Sequence, residues 1–187
     1  GVAKVYSHWI TINYRESYNL FASNGILFNH ESPLRGETFV TKKIVRGLCR
    51  IKQKKQKKLF LGNLNAKRDW GHAEDYVQAI WKILQFKRPD DFVICTGKQY
   101  SIKQFINMVS KSLKIQITWR GKGLNEKAYD KNNNCIIECR KKYFRPAEVD
   151  NLIGSASKAK KLLKWKPKHN IHSLIQDMIS FELNSLK

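Results

Sequence analysis

The chain has 187 residues, 42% of them apolar, which is enough for one domain with a sizeable core or one domain plus a small lobe. Its formal charge of +21, from 36 Lys and Arg against 15 Asp and Glu, favours polyanionic partners in general. The lysines are scattered apart from a run at Lys52, Lys54, Lys55, Lys57 and Lys58, without interleaved aromatics, so the pattern speaks against a nucleic-acid surface; no apolar stretch is long enough for a membrane span, and no signal-peptide pattern opens the chain.

In chain order, Lys4 to Leu20 reads as a helix, broken by Asn19 and Asn24-Gly25. Gly25 to Asn29 holds Ile26, Leu27 and Phe28 in a row, an apolar run that suits a buried parallel strand. Thr38 to Ile51 is the next expected helix, with Phe39, Ile44, Val45 and Leu48 as its apolar set. Leu59 to Leu61 reads as a short strand closed by Gly62-Asn63, and His72 to Leu84 as a helix whose packed side holds Tyr76, Val77, Ile80, Ile83 and Leu84. Phe92 to Cys95 is a second buried-type strand, and Ser101 an N-cap for a helix through Leu113. Ile115 to Trp119 alternates like a half-exposed strand, and Gly121 to Asn134 is polar and reads as a mobile loop. Cys135 to Glu138 is strand-like, Ser157 to Leu163 a short helix, and Ile171 to Leu186 a final helix.

This alternation predicts α/β layers. The four cysteines, Cys49, Cys95, Cys135 and Cys139, lack zinc-knuckle spacing and read as reduced thiols of an intracellular protein. No GxGxxG, Walker A or HExxH motif occurs, so the residues alone reach only a basic α/β domain or half-domain.

Polar clusters sit where ligands bind in such folds. Asn29, His30 and Glu31 follow a buried strand and serve either as strand caps or as a ligand rim. Arg68 offers a planar fork for phosphate, while Asp69 could pair with it or cap the next helix, with Trp70 packed beneath. Arg145 and Glu148 flank Pro146, and pair with each other or meet a base through the carboxylate. Lys43 is an electrostatic phosphate candidate; His72 with Asp75 at helical spacing reads as a structural pair, and Ser7 and His8 lack any nucleophile elbow.

Three stretches carry a more specific signal: Asn29-His30-Glu31-Ser32-Pro33-Leu34-Arg35-Gly36-Glu37 with its flanks from Gly25 to Ile44, Leu61 to Tyr76, and Tyr143-Phe144-Arg145-Pro146-Ala147-Glu148-Val149; Asp91 to Gly97 fits as well. The chain resembles, over essentially its whole length, the GDP-mannose 4,6-dehydratase family of extended short-chain dehydrogenase/reductases. The resemblance implies the C-terminal portion of an NAD(P)-binding Rossmann-like fold with a small α/β substrate-binding lobe, the two interleaved along residues 1–187 and lacking the glycine-rich N-terminal half.

It also implies roles. Lys4 would be the lysine of a YxxxK motif whose tyrosine lies just before Gly1, holding the nicotinamide ribose and favouring the phenolate. His30 and Arg35 match NADP contacts; Asn29, Lys43, Asn63, Arg68, Arg145 and Glu148 match substrate-side positions, with Arg68 at the diphosphate and no metal. The family converts GDP-mannose to GDP-4-dehydro-6-deoxymannose and water, a lyase reaction in which a hydride is lent to NADP and returned, leading towards GDP-fucose. A cytoplasmic homo-oligomer, dimer or tetramer, is implied, with this portion inactive without the missing N-terminal half. The sequence departs from the family pattern at Leu34, Asn65, Ser155, Ala156 and Lys164, and most in the Gly121 to Asn134 stretch. The alternatives are a UDP- or TDP-sugar epimerase or dehydratase of the same superfamily, a basic nucleic-acid-binding domain, or a non-catalytic portion serving in subunit contacts.

Overall fold

The computed structural model describes residues 1–144, 147 and 149–185. The elements run α1 (Val2–Tyr18), β1 (Gly25–Leu27), β2 (Asn29–Glu31), α2 (Val40–Lys52), β3 (Leu59–Leu61), β4 (Lys67–Arg68), β5 (Trp70–His72) and α3 (Ala73–Leu84). They continue with β6 (Phe92–Ile94), β7 (Tyr100–Ser101), α4 (Ile102–Ser112), β8 (Thr118–Arg120), β9 (Lys127–Tyr129), β10 (Cys135–Cys139), α5 (Ser157–Leu162) and α6 (Ile171–Ser185). Two compact units result: Gly1–His30, Asp69–Lys98 and Ile153–His169 form the first, and Glu31–Arg68, Gln99–Leu152 and Asn170–Lys187 the second.

In the first unit β1 and β6 pair in parallel, Gly25 opposite Phe92 and Leu27 opposite Ile94. A parallel pair needs a crossover, and α3 lies between the two strands in sequence. Tyr76, Ala79 and Ile83 recur at helical spacing and bury against Phe92, Ile94, Ala159, Leu163 and Trp165. The expected packed side of α3 is therefore only partly right: Ile83 and Tyr76 face inward, but Val77, Ile80 and Leu84 are exposed, together with Trp81. The helix is apolar on two faces, and its spacing alone does not say which one the core takes. β1 is also less buried than its apolar run suggests, with Ile26 43% exposed, because among the described residues this strand pairs with β6 alone. Helix α1 buries none of its residues and ends at Asn19 in the left-handed conformation. Arg15 secures it through two hydrogen bonds to Asp91, Nη1 to Oδ1 at 2.9 Å and Nη2 to Oδ2 at 3.3 Å.

The second unit is built on a four-stranded sheet of order β3-β10-β9-β8, parallel only between β3 and β10. Helices α2, α4 and α6 pack on one another, burying Ile44, Val45 and Leu48 with Phe105, Ile106, Val109, Leu174 and Ile175. Ser101 caps α4 as expected, in a reciprocal capping box with Gln104. Two expectations need correction here. The Gly121 to Asn134 stretch is not a plain loop: it contains a short 3-10 turn, Gly123–Asn125, and strand β9, whose Ala128 is fully buried. Asp130 then closes the turn into β10 by accepting hydrogen bonds from the backbone of Asn132 and Asn134. In the Ile115 to Trp119 stretch the strand starts only at Thr118, although burial does alternate from Ile115 onward.

The four cysteines are unpaired, and three of them, Cys49, Cys95 and Cys139, are buried. Burial pushes the Cys49 thiol up to about 12. Among the described residues no helix is long and apolar enough to cross a membrane.

Candidate functional site

Three of the predicted residues lie in the first unit. Lys4 is exposed on α1 and Asn29 is half-buried on β2. His30 follows Asn29, and its ring is held from two sides. Nδ1 lies 2.9 Å from the Phe28 carbonyl, and the ring stacks on Tyr76 at a centroid distance of 5.0 Å and an interplanar angle of 29°. A carbonyl only accepts, so Nδ1 carries the proton and Nε2 is left as an acceptor. The Tyr76 ring occupies the space a side chain at position 71 would fill, because a Cβ on Gly71 would run into it.

Asp69 does not cap α3, whose N-cap is His72. Asp69 is fully buried and accepts from Thr96 N at 3.0 Å, Thr96 Oγ1 at 2.6 Å and Gly97 N at 2.7 Å, which locks the turn after β6. Trp70 is buried, as expected. His72 is the N-cap of α3, its Nδ1 accepting from Glu74 N at 3.2 Å. The Asp75 carboxylate takes the backbone N–H of His169 at 2.9 Å and sits 3.2 Å from its ring Nδ1, while Trp165 Nε1 donates to the Asp75 carbonyl.

His72, Glu74 and His169 bring potential metal-ligand atoms within 4.8 Å of one another. The two imidazoles, however, stack 4.2 Å apart at 23°, so their in-plane lone pairs run side by side instead of converging. The group is better explained as a clasp between α3 and the segment after Trp165.

The second unit carries Arg35, Lys43, Asn63 and Arg68. Arg35 lies with Nε 3.2 Å from Glu31 Oε2 and its guanidinium 3.5 Å above the Phe39 ring centroid. Lys43, on the first turn of α2, places its ammonium 3.8 Å from the Tyr143 ring centroid. Burial pulls the Lys43 ammonium below its ordinary value, and the hydrogen bond with Lys142, with Lys43 nearby, holds the Tyr143 phenol below its own.

The Tyr143 backbone is seated at the end of β3. A Cβ on Gly62 would collide with the Tyr143 carbonyl, and Arg140 N donates to Leu61 O at 2.9 Å. Asn63 Oδ1 accepts from Asn65 N at 2.9 Å and shapes the turn that leaves β3. Arg68 donates through Nη1 to the carbonyls of Lys67 at 2.8 Å and Val149 at 2.5 Å, and Lys67 N bonds to Asp150 O alongside. Arg145 and Glu148 lie outside the described residues.

The sequence reading singled out the cations and missed what holds them: Phe39 beneath Arg35, Tyr143 beneath Lys43, and Tyr76 beneath His30. Phe39 and Tyr76 were visible only as helix-face residues, and Tyr143 only as the first residue of the Tyr143 to Val149 stretch. The signal available was the four-residue spacing of Arg35 and Phe39, which a turn pattern conceals.

Residues 1–178 match the family model for GDP-mannose 4,6 dehydratase. The GDP-mannose 4,6-dehydratase of Vibrio cholerae is 51% identical over 194 residues, covering 98% of this chain and 52% of the relative. GDP-mannose 4,6 dehydratase 2 of Caenorhabditis elegans is 48% identical over 183 residues, covering 98% of this chain and 48% of the relative. The chain thus spans about half the length of the curated relatives it matches.

Among solved structures, RMD from Pseudomonas aeruginosa complexed with NADPH superposes with a TM-score of 0.82 at 19% identity, over 98% of this chain and 56% of that one. The dTDP-glucose 4,6-dehydratase of Bacillus anthracis in complex with NAD does so with a TM-score of 0.73 at 19% identity, over 93% and 48%. These two show the fold: the Rossmann-like α/β architecture of extended short-chain enzymes. With the family model spanning residues 1–178 and relatives near 50% identity, the chain belongs to the GDP-mannose 4,6-dehydratase family.

Proposed function

We propose that this chain serves the conversion of GDP-α-D-mannose to GDP-4-dehydro-6-deoxy-α-D-mannose and water, with NADP as the bound cofactor. The observation that carries the reading is the family match over residues 1–178; that Arg35 and Lys43 each lie against an aromatic ring is consistent with it.

Each of the two groups assigned to the cofactor has donor or acceptor chemistry that a dinucleotide can use. His30 offers a ring of fixed tautomer, and Arg35 a guanidinium braced by a carboxylate and an aromatic face. When bound, NADP supplies the hydride acceptor and donor, so that the overall reaction involves no net oxidation. Lys4 is assigned to the nicotinamide ribose and to the catalytic tyrosine, where an ammonium favours the phenolate. That tyrosine and the glycine-rich cofactor loop belong, on this reading, to sequence outside these residues.

Lys43 and Arg68 are assigned to the diphosphate, where the lowered hydration of Lys43 strengthens its field on an anion. Asn29 and Asn63 orient the nucleotide sugar through amide hydrogen bonds. Arg145 and Glu148 are assigned to the guanine end, with the Glu148 carboxylate accepting the base N–H donors. We place the enzyme in the cytoplasm as a dimer or tetramer.

The test is substrate binding by the full-length enzyme. Lys43→Met and Arg68→Ala should each weaken GDP-mannose by about tenfold, the scale of one charge-assisted contact, and leave NADPH affinity unchanged. Unchanged GDP-mannose affinity in both variants would overturn the assignment of the diphosphate site.

A further inference from the structure

We propose that Glu31 is a positioning residue for Arg35, fixing the guanidinium at one angle so that its two terminal nitrogens meet a phosphate-type anion. The inference rests on the reading of Arg35 as a cofactor contact and adds the part of the protein that makes that contact selective in direction.

Glu31 ends β2 and is 2% exposed. Two tight turns follow, Arg35 N bonding to Ser32 O at 3.0 Å and Phe39 N to Gly36 O at 3.1 Å. They fold the chain so that Arg35 sits between the Glu31 carboxylate and the Phe39 ring. Lys42 Nζ donates to Pro33 O at 2.7 Å and pairs with Glu182, which pins the middle of the first turn.

The carboxylate itself is fixed. Thr41 Oγ1, fully buried in the first turn of α2, donates to Glu31 Oε2 at 2.5 Å. That oxygen also lies 3.2 Å from Arg35 Nε, and the start of a helix favours a negative charge beside it. Arg35 Nε is buried and makes no hydrogen bond, because its N–H is not aligned on the carboxylate. Glu31 therefore acts on Arg35 through charge and contact at the Nε flank. Phe39 covers one face of the guanidinium at 3.5 Å. Among the described residues no hydrogen bond engages the terminal nitrogens, and the side chain keeps 23% of its surface exposed.

A guanidinium braced on one edge and one face keeps its remaining fork in a fixed plane. That is the geometry for two parallel hydrogen bonds to a phosphate, with little ordering left to do on binding. Arginine is a long, flexible side chain; without the carboxylate it would lose that plane while keeping its charge.

The experiment is a double-mutant cycle in the full-length enzyme, read by NADPH titration. Glu31→Gln keeps an acceptor for Thr41 and removes the charge. It should weaken NADPH by about fivefold when Arg35 is present and have no effect in the Arg35→Ala background, the coupling expected of residues in contact. GDP-mannose affinity should not change in either background. An equal loss in both backgrounds would show that Glu31 supports the fold independently of Arg35 and would overturn the proposal. An Arg35→Ala variant that binds NADPH normally overturns the cofactor role of Arg35, and the proposal with it. Should Glu31→Gln fail to fold, Phe39→Leu removes the other brace. Its effect on NADPH should likewise vanish in the Arg35→Ala background, and additivity there would count against the bracing of Arg35.

Discussion

The two units differ in how they use their apolar residues. In the second, α2, α4 and α6 turn their apolar faces toward one another, and Ile44, Leu48, Phe105, Ile106 and Ile175 are essentially inaccessible. In the first, α1 buries nothing, and α3 leaves Val77, Ile80, Trp81 and Leu84 exposed. Order in the first unit depends more on polar anchors: Arg15 on Asp91, Asp69 on the Thr96 turn, and Asp75 on His169. The contrast teaches that the helices of the unit carrying Arg35, Lys43 and Arg68 bury their apolar faces against one another, whereas the unit carrying Lys4 and His30 adds directional hydrogen bonds to a smaller core around Tyr76, Phe92, Ile94 and Trp165.

The contrast is sharpest in the cost of truncation, measured by denaturant unfolding of the full-length protein. Phe105→Ala in the second unit should cost about 3–5 kcal/mol, as deletions of fully buried aromatics do. Trp81→Ala on the outer face of α3 removes as large a ring and should change stability by about 0.5 kcal/mol or less. A large loss from Trp81→Ala would show that this face is covered in the assembled protein and would remove that half of the contrast.

Next in size is Asp69→Ala. It removes the acceptor of two backbone N–H groups, Thr96 and Gly97, and the shorter of the two bonds made by the Thr96 hydroxyl, for about 3 kcal/mol. Amide exchange should quicken at Thr96 and Gly97 first; unchanged exchange there would mean that the carboxylate does not hold the turn.

The smallest effect belongs to the Arg15–Asp91 pair, which keeps part of its surface in water and should contribute about 1 kcal/mol. Burial alone would raise the Asp91 carboxyl, but hydrogen bonds from Arg15 and Asn24 outweigh it and hold the group below its usual value. A depressed carboxyl stabilises the fold above its unfolded value, and that stability is lost as pH falls through the lower folded value. Asp91→Asn should therefore flatten the acid limb of the stability curve while lowering the neutral plateau. An unaltered acid limb would remove Asp91 from the anchors of the first unit.

Much of this was legible from local pattern, where a single element carries its own signal. Ser101 with Gln104 three residues later announces the start of α4, and the apolar run of Phe92 to Ile94 announces β6. Strand β9 was not legible, because Lys127, Ala128 and Tyr129 offer one small inward residue and depend on pairing with β10. The face of α3 that packs could not be chosen from a helix apolar on both sides.

At the site, the residue types were visible and the supports were not. Arg68 meets the Val149 carbonyl far along the chain, and Tyr143 reaches Lys43 only because Gly62 lets the two segments approach. Contacts of such sequence separation leave no periodicity to read. The Glu31, Arg35 and Phe39 group is local, yet its four-residue spacing arises from consecutive turns and not from a helix.

The decisive observation is the product made by the full-length enzyme from GDP-mannose, with UDP-glucose and dTDP-glucose offered in parallel. Chromatography with mass spectrometry should show the guanosine sugar losing one water to give a 4-keto product, with NADP neither consumed nor reduced at the end. A 4-keto product from a uridine or thymidine sugar, with GDP-mannose untouched, would contradict the reading of this chain as the site of GDP-mannose dehydration.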